Sequence, residues 1–304
     1  MTSRRLRAIA WVAAFAAAAS IVGVVLAERR APFTMRTVRT EVAGYALEGD
    51  LYLPRRRIRP VTAILFLHGS TPRGRRLALY PALCERLAAR GYAVVNLDQR
   101  GHGQSEGPRR VRSLEDLDFV GDARAVARRM ADLIGRKPRA VVVVGHSFGG
   151  GVAAAAGLAE PAVDRVVSIS PGRRIEERFA PEALPQLRYV QERRTRDMKL
   201  EEPIPLELIA PLLATYDIGQ FRGATLPKPL LLIEGAREPR ADLDFSRALV
   251  AELSGPVTHA VLSGADHYFG AVVVETPNGG DWIVGKPEIV DRLADAIDQW
   301  LAGR

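Results

Sequence analysis

The chain has 304 residues, of which 47% are hydrophobic, so it can form one large domain or two small domains with a sizeable core. Its net charge is +8, and nearly all of the positive charge comes from arginines that are spread among acidic residues. We therefore interpret the arginines as solvated surface and expect no nucleic-acid partner. Cys84 is the only cysteine, which excludes an internal disulfide bond and a cysteine metal site, and we expect it to be a small buried residue.

The amino terminus differs in composition from the rest of the chain. An uncharged, alanine-rich run extends from Ala8 to Ala27, between three arginines within residues 4–7 and the charged stretch Glu28–Arg30. As a helix, this run would span about 30 Å, the thickness of a bilayer core. It predicts an uncleaved membrane anchor, and a secretory signal cleaved after Ala27 is the main alternative. A buried helix of the body is a third interpretation, which the flanking arginines disfavour.

The arginines that precede the run favour a cytoplasmic amino terminus, so we expect an anchored or exported protein whose body lies outside the cytoplasm. Residues 1–31 would form the basic segment and the anchor or signal. Residues 32–304 would form a single folded body.

The first part of the body alternates between predicted strands and helices. Thr34–Val42 and Tyr45–Leu53 predict a hairpin that turns at Gly44. Continuous apolar runs then predict strands that are buried on both faces, at Val61–Leu67, Tyr92–Leu97 and Val141–Val144. Helical periodicity lies between them, at Leu77–Arg90 and Leu114–Ile134.

A sharp turn around a serine follows the third of these strands. The stretch Gly145–Gly150 reads Gly-His-Ser-Phe-Gly-Gly, and the helical segment Val152–Leu158 comes after it. Glycines on both sides of Ser147 let strand and helix close behind a serine that stands clear of the sheet. The alternative is a glycine-rich turn with an incidental serine. The strand before it and the helix after it favour a nucleophile.

The second half continues the alternation after one interruption. The predicted strands are Val163–Ile169, Pro229–Ile233 and Val257–Leu262, and we expect Val257–Leu262 to be the last strand of the chain. The predicted helices are Leu243–Leu253 and Pro287–Leu301. Between the first two strands, residues 173–221 are charged, rich in proline and without a strand pattern. We interpret this insertion as a small helical lid, because its leucines supply apolar surface to bury, and a disordered linker is the alternative.

This order predicts an α/β fold with a mostly parallel central sheet and helices on both faces. In such sheets, active sites lie at the carboxyl ends of the strands. Five polar residues follow strand ends in this chain, namely His68, Asp98, Ser147, Glu238 and His267.

Four motifs carry a resemblance to a known family: His68-Gly69, Asp98–Gly103, Gly145–Gly150 and Gly264–His267. With these motifs, the chain from about Pro32 to its end resembles the α/β-hydrolase superfamily, in its serine esterase, monoacylglycerol lipase and serine aminopeptidase-like branch. The resemblance implies a catalytic triad in the chain order serine, acid, histidine. It also implies a small-molecule ester substrate, including a lipid-derived one. The sequence has no metal-ligand cluster and no glycine-rich phosphate loop, so we expect no cofactor or metal ion.

The predicted triad is Ser147 as nucleophile, His267 as general base and an acid that orients the imidazole. The resembling families usually have aspartate where this chain has Glu238, in the stretch Gly235–Pro239. We favour Glu238 and keep Asp242 as the alternative acid.

The predicted oxyanion hole consists of the backbone N–H groups of Phe148 and Ser70. By resemblance, His68 shapes the loop that carries Ser70. We expect His146 to point away from the site, His102 to be structural and His259 to be packed or at the surface.

The predicted function is a serine hydrolase that cleaves a carboxylic ester by acyl transfer. A peptidase or amidase with the same triad is the nearest alternative, because that chemistry needs the same residues. A hydrolase-fold protein that binds without turnover is an alternative of another class, and covalent labelling of Ser147 separates the two.

Overall fold

The computed structural model describes residues 31–55, 61–171, 184–276 and 279–303. The predicted anchor or signal at Ala8–Ala27 lies outside these residues. Among the residues described, no helix is both long and apolar enough to cross a membrane.

An eight-stranded sheet forms the centre of the body, in the order β1-β2-β4-β3-β5-β6-β7-β8. β2 pairs antiparallel with β1 and β4, and the strands from β4 to β8 are parallel to one another. The strands are β1 (Phe33–Val42), β2 (Tyr45–Pro54), β3 (Thr62–Leu67), β4 (Ala93–Leu97), β5 (Ala140–His146), β6 (Arg165–Ile169), β7 (Leu230–Gly235) and β8 (Val257–Leu262). The hairpin and the buried parallel strands predicted from the sequence are confirmed.

Helices cover both faces of the sheet. They are α1 (Leu79–Ala89), α2 (Phe119–Arg128), α3 (Met130–Ile134), α4 (Phe148–Ala159), α5 (Leu184–Asp197), α6 (Leu206–Ala214), α7 (Arg240–Glu252) and α8 (Pro287–Leu301). Side chains of β3 alternate between two cores: Ile64 and Phe66 pack with α1 and α8, whereas Leu65 packs on the opposite face with α2 and α4. Because both faces are covered, β3 is apolar and buried from Ala63 to Leu67 instead of alternating with polar residues.

Two features differ from the sequence prediction, whereas the described part of the insertion contains short helices as predicted, namely α5, α6 and a 3₁₀ turn at Ile218–Phe221. The helical stretch Leu114–Ile134 is divided into a short 3₁₀ turn, α2 and α3, with a break at Arg129. β8 is not the last strand, because β9 (Ala271–Thr276) and β10 (Gly279–Val284) form a separate antiparallel hairpin before α8.

The direction of β1 and β2 shows where the described body begins. Tyr52 of β2 pairs with Val94 near the start of β4, and Phe33 pairs with Pro54 beyond it. The chain therefore enters the body at the amino-terminal edge of the parallel strands. The residues discussed next lie at the opposite edge.

Candidate active site

Ser147 occupies a strained turn between β5 and α4. Its backbone has φ 55° and ψ −119°, a conformation that L-residues rarely adopt outside such turns. A side chain at Gly145 would overlap the backbone of Gly149, and one at Gly149 would overlap the backbone of Leu67. The glycines are therefore required for strand, turn and helix to approach each other this closely, and the turn leaves Ser147 at the edge of the sheet.

The imidazole of His267 lies between Ser147 and an acid. Its Nε2 atom is 3.1 Å from Ser147 Oγ, and its Nδ1 atom is 3.6 Å from Glu238 Oε2. The imidazole side chain is 38% exposed, whereas the Glu238 side chain is 4% exposed. The arrangement can pass a proton from the serine hydroxyl to the imidazole while the buried carboxylate holds the other ring nitrogen.

The carboxylate of Glu238 is held from its other side. Its Oε1 accepts a short hydrogen bond from the hydroxyl of Ser170 at the end of β6, and a longer one (3.3 Å) from the Gly235 N–H. These bonds fix Oε1 and leave Oε2 facing the imidazole. The structure thus brings Glu238 against His267, and it places the alternative acid, Asp242, in the first turn of α7. Sequence analysis did not assign Ser170 a role, although its position after a strand was a signal.

A chain of buried hydrogen bonds connects the loop after β3 to the His267 backbone. The Gly69 N–H donates to Tyr80 Oη (2.9 Å), Tyr80 Oη lies 3.1 Å from His146 Nδ1, and His146 Nε2 lies 2.7 Å from the His267 carbonyl oxygen. A carbonyl oxygen only accepts, so Nε2 carries the proton and Nδ1 accepts from the tyrosine hydroxyl.

Burial and then the neighbouring His267 lower the pKa of His146 to about 3, so this ring stays neutral. The prediction that His146 points away is wrong, because its ring centroid lies 4.9 Å from that of His267. Its side chain turns towards the backbone of the loop that carries the predicted base. Tyr80 was missed because nothing in the pattern of α1 separates a bonded tyrosine from a core one.

The remaining histidines have structural partners. His68 is fully buried, accepts from the Gln99 N–H at Nε2 (3.0 Å) and therefore donates from Nδ1 to the Gly69 carbonyl oxygen (2.7 Å). Burial lowers the pKa of His68 and keeps it neutral. These bonds fit a residue that shapes the loop before Ser70. His102 is also buried, with Nδ1 2.9 Å from the Arg100 carbonyl oxygen, which agrees with a structural role.

The two predicted oxyanion donors lie on either side of the nucleophile turn. Phe148 is the first residue of α4, so its N–H has no acceptor within that helix. A Cβ atom at Gly69 would lie 3.1 Å from Ser147 Cβ, so the loop before Ser70 passes directly against the serine. The Gly69 N–H already donates to Tyr80, which leaves the next N–H along the loop, that of Ser70, as the predicted donor.

Asp98 also follows a strand, but it belongs to an ionic cluster beneath the site. The Arg75 side chain is almost completely buried and forms ion pairs with Glu48, Asp50 and Asp98. The Asp98 carboxylate also accepts from the Gln104 N–H (2.9 Å). These bonds give the Asp98 carboxylate a structural role, in which it holds the loops around the site.

Helix α5 brings further residues to the site that the sequence did not single out. Ser70 Oγ donates to Asp197 (3.0 Å), and Arg193 donates to the Ser70 carbonyl oxygen (2.5 Å). Arg194 stacks on Phe148, with its Cζ atom 3.6 Å from the ring centroid. Long arginine-rich helices are usually solvated, so their sequence pattern does not predict these contacts.

No group of side chains that could hold a metal ion occurs in the described ranges. Cys84 is buried, as predicted, and burial raises the pKa of its thiol. A reactive thiol would need the opposite shift.

Residues 58–211 match the model of the serine aminopeptidase S33 family of hydrolases. The chain is 27% identical over 243 residues to a monoacylglycerol lipase of Mycolicibacterium smegmatis, covering 72% of this chain and 84% of that protein. It is 28% identical over 232 residues to a pyrethroid hydrolase of Sphingobium wenxiniae, covering 65% of this chain and 78% of that protein. The fold is similar to that of a hypothetical protein from Pseudomonas aeruginosa, with a TM-score of 0.63 at 19% identity, over 88% of this chain and 94% of that one. The chain therefore belongs to the serine aminopeptidase S33 family, within the α/β-hydrolase superfamily.

Proposed function

We propose that this hydrolase cleaves carboxylic esters by acyl transfer through Ser147, with His267 as the general base and Glu238 as the acid. The observation that carries the proposal is the continuous series of contacts from Ser147 Oγ through the imidazole to the buried carboxylate. The nucleophile, base and acid occur in the chain order expected for this fold.

The reaction would proceed in two halves. His267 accepts the Ser147 proton as the hydroxyl attacks the ester carbonyl, and Glu238 stabilises the imidazolium that forms. The N–H groups of Phe148 and Ser70 would stabilise the negative charge on the carbonyl oxygen. His267 then returns the proton to the leaving alcohol, and water releases the acid from Ser147 by the same steps in reverse order.

An ester substrate is supported by the similarity to a protein named a lipase, an enzyme class that hydrolyses esters. The family description names an aminopeptidase, so amide cleavage is the alternative to be tested. The same side chains serve both reactions, and the preference depends on how the substrate is bound.

We also propose that the insertion at residues 173–221 is a lid over the site. Supporting this role, α5 contacts both Ser70 and Phe148, the two predicted oxyanion donors. Its exposed Tyr189, 61% accessible, lies on the same helix and offers apolar surface outside the core.

The test is a panel of p-nitrophenyl esters and aminoacyl p-nitroanilides assayed with the full chain and with its Ser147→Ala variant. Ester turnover that depends on Ser147, together with fluorophosphonate labelling of the parent chain, is the expected result. Turnover of the anilides alone would assign a peptidase. Labelling without turnover of the esters or the anilides would indicate that the substrate is another acyl compound. Absence of labelling would support a protein that binds without turnover.

A further inference from the structure

One face of helix α5 contacts the two residues that are predicted to supply the oxyanion donors. Arg193 and Asp197 bind the backbone and the hydroxyl of Ser70, and Arg194 stacks on the ring of Phe148. Arg194 therefore lies against the residue that follows Ser147, although it is distant from Ser147 in the sequence.

Arg194 is a buried cation. The residue is 4% exposed, and its Nη2 donates to the Tyr216 hydroxyl (3.2 Å). Among the residues that the structure describes, its Nη1 has no hydrogen-bond partner and no carboxylate forms an ion pair with it. Burial of a guanidinium removes a positive charge from water, which is costly without a charged partner.

The surroundings offset only part of that cost. The guanidinium lies over Phe148 and within 6 Å of the ring centroids of Phe119 (5.9 Å) and Tyr216 (5.8 Å), which gives favourable cation–π contacts. Aromatic rings do not supply an anionic acceptor for Nη1. Buried polar groups nearly always have a partner, so this N–H is available to an acceptor that binds beside it.

The other arginines at this end of α5 differ in this respect. Arg193 and Arg196 both lie within ion-pair distance of Asp197, at 3.7 Å and 3.4 Å. Arg194 has neutral neighbours: after burial itself, its charge is among the causes that lower the pKa values of His68 and His102, whereas the charges of Asp98 and Asp197 raise the pKa of His68.

We propose that Arg194 recognises a carboxylate on the substrate, so that the preferred substrates are esters that also carry a free carboxylate. This inference rests on the proposed ester hydrolase function and specifies its substrate class. A guanidinium is the side chain best suited to a carboxylate, and it would repel the free amino group of an aminopeptidase substrate. Given the reach of a phenylalanine side chain, the Arg194 Cζ atom lies at most about 9 Å from the Phe148 N–H. A substrate that spans this distance would place its carboxylate against the guanidinium, and in a partly buried site that charge attraction would favour it about 10-fold or more.

The experiment compares charged esters with neutral esters of similar size, using the full chain. Monomethyl adipate against methyl hexanoate tests a carboxylate on the acyl side, and 4-acetoxybutanoate against pentyl acetate tests one on the alcohol side. The measured quantity is the ratio of kcat/KM for the charged ester to kcat/KM for its neutral partner. We expect this ratio to exceed 1 in one of the two pairs, and that pair identifies the side of the ester bond that Arg194 recognises.

Arg194→Met should lower this ratio by about 10-fold to 100-fold, because it removes a charge-assisted hydrogen bond. Arg194→Lys should retain part of the preference, since it keeps the charge and loses the planar fork.

Arg196→Met is the matched control, because it removes the same charge from an exposed position two residues away, where solvent screens it. In this control the ratio should stay within about 2-fold of the parent value. If Arg194→Met does not fold, Arg194→Gln and Arg194→Lys carry the comparison. A parent ratio below 1 in both pairs, or equal losses for charged and neutral esters, would overturn the proposal.

A binding measurement separates this proposal from the ester hydrolase proposal. Calorimetry on Ser147→Ala should detect monomethyl adipate or 4-acetoxybutanoate more tightly than its neutral partner, and the added Arg194→Met change should remove the difference. Arg194-dependent binding in a chain that turns over no ester would support the carboxylate site and reject the ester hydrolase function. Equal binding of charged and neutral esters would reject the carboxylate site even if ester turnover is strong.

Discussion

Two histidine–glutamate pairs lie at β7 and β8, one within these neighbouring strands and the other just beyond their ends. In the first, His267 Nδ1 faces Glu238 and its Nε2 faces the Ser147 hydroxyl. In the second, His259 Nε2 lies 2.8 Å from Glu234 Oε2, and the Ser246 hydroxyl donates to the other oxygen of the same carboxylate (2.9 Å). Both sets contain a serine, a histidine and a buried glutamate.

The order of contacts separates the two sets. The imidazole is the central member at the candidate active site, so it can take a proton from the serine and be stabilised by the acid. In the second set the Glu234 carboxylate is the central member. The Ser246 hydroxyl therefore donates to the carboxylate, which lies between it and the imidazole of His259. Position separates them as well: Glu234 and His259 lie within β7 and β8, against α7, whereas Glu238 and His267 follow the ends of those strands. Residue types alone therefore do not identify a catalytic triad.

The largest difference is expected between alanine variants of the two serines, Ser147 and Ser246. Ser147→Ala should reduce ester turnover by about 10⁶-fold and abolish fluorophosphonate labelling, because it removes the nucleophile. Ser246→Ala should leave both within about 2-fold, since its hydroxyl only donates to Glu234. Steady-state kinetics and gel-based labelling measure this difference. Persistent labelling of the Ser147→Ala chain would show that another serine is the nucleophile.

The two glutamates provide the next comparison. Glu238→Gln should lower kcat by about 10⁴-fold through loss of the correct histidine tautomer, with little change in folding. Glu234→Gln should have a small effect on kcat and should lower the free energy of unfolding by about 1–3 kcal/mol, because it weakens bonds to a buried charge. Kinetics and urea denaturation distinguish the outcomes. A large kcat loss in Glu234→Gln would mean that the second pair contributes to catalysis.

Asp242 tests whether the acid is correctly assigned. Asp242→Asn should reduce kcat far less than Glu238→Gln, since the structure places Glu238 against the imidazole. The same ester assay and a melting curve for each variant suffice. A greater loss in Asp242→Asn than in Glu238→Gln would transfer the role of acid to Asp242.

A smaller effect is expected from the proposed lid. Replacing Leu184–Asp197 by a short flexible linker should change the preference between p-nitrophenyl octanoate and p-nitrophenyl acetate several-fold, because apolar surface over the site would be lost. The measurement is the ratio of the two kcat/KM values. A ratio equal to that of the parent chain would contradict a role in acyl-chain selection.

The amino-terminal segment should affect location and leave the chemistry of the site unaltered. We propose that the chain is tethered to a membrane, or exported, with the body outside the cytoplasm, because an uncharged run at Ala8–Ala27 follows a basic stretch. Fractionation should leave the protein with membranes at high salt, and protease should digest it in intact spheroplasts. Protection from protease would place the body in the cytoplasm, and release of a shorter form would indicate cleavage near Ala27.

The sequence by itself determined the parallel sheet, the tight turn around Ser147 and the chain order of the candidate site residues. Val141–Val144 is apolar at every position because that strand is buried on both faces, and this pattern is visible without a structure. The glycines around Ser147 are required by close backbone contacts within a few residues. The β9–β10 hairpin was also detectable, and it was missed: Val272, Val273 and Val274 form a β-branched run before the sequence Pro-Asn-Gly, which is typical of a link between hairpin strands.

Only the tertiary structure decided which side chains meet. Ser147 and His267 are 120 residues apart, and Ser70 and Asp197 are 127 apart. Local periodicity reports whether a residue is buried, but the partner of a buried polar group depends on how distant elements pack. For this reason the sequence positions of Glu238 and Asp242 did not decide which of the two carboxylates faces the imidazole. The roles of Tyr80 and Ser170 and the buried charge of Arg194 became visible only once the helices and loops around the sheet edge were in place.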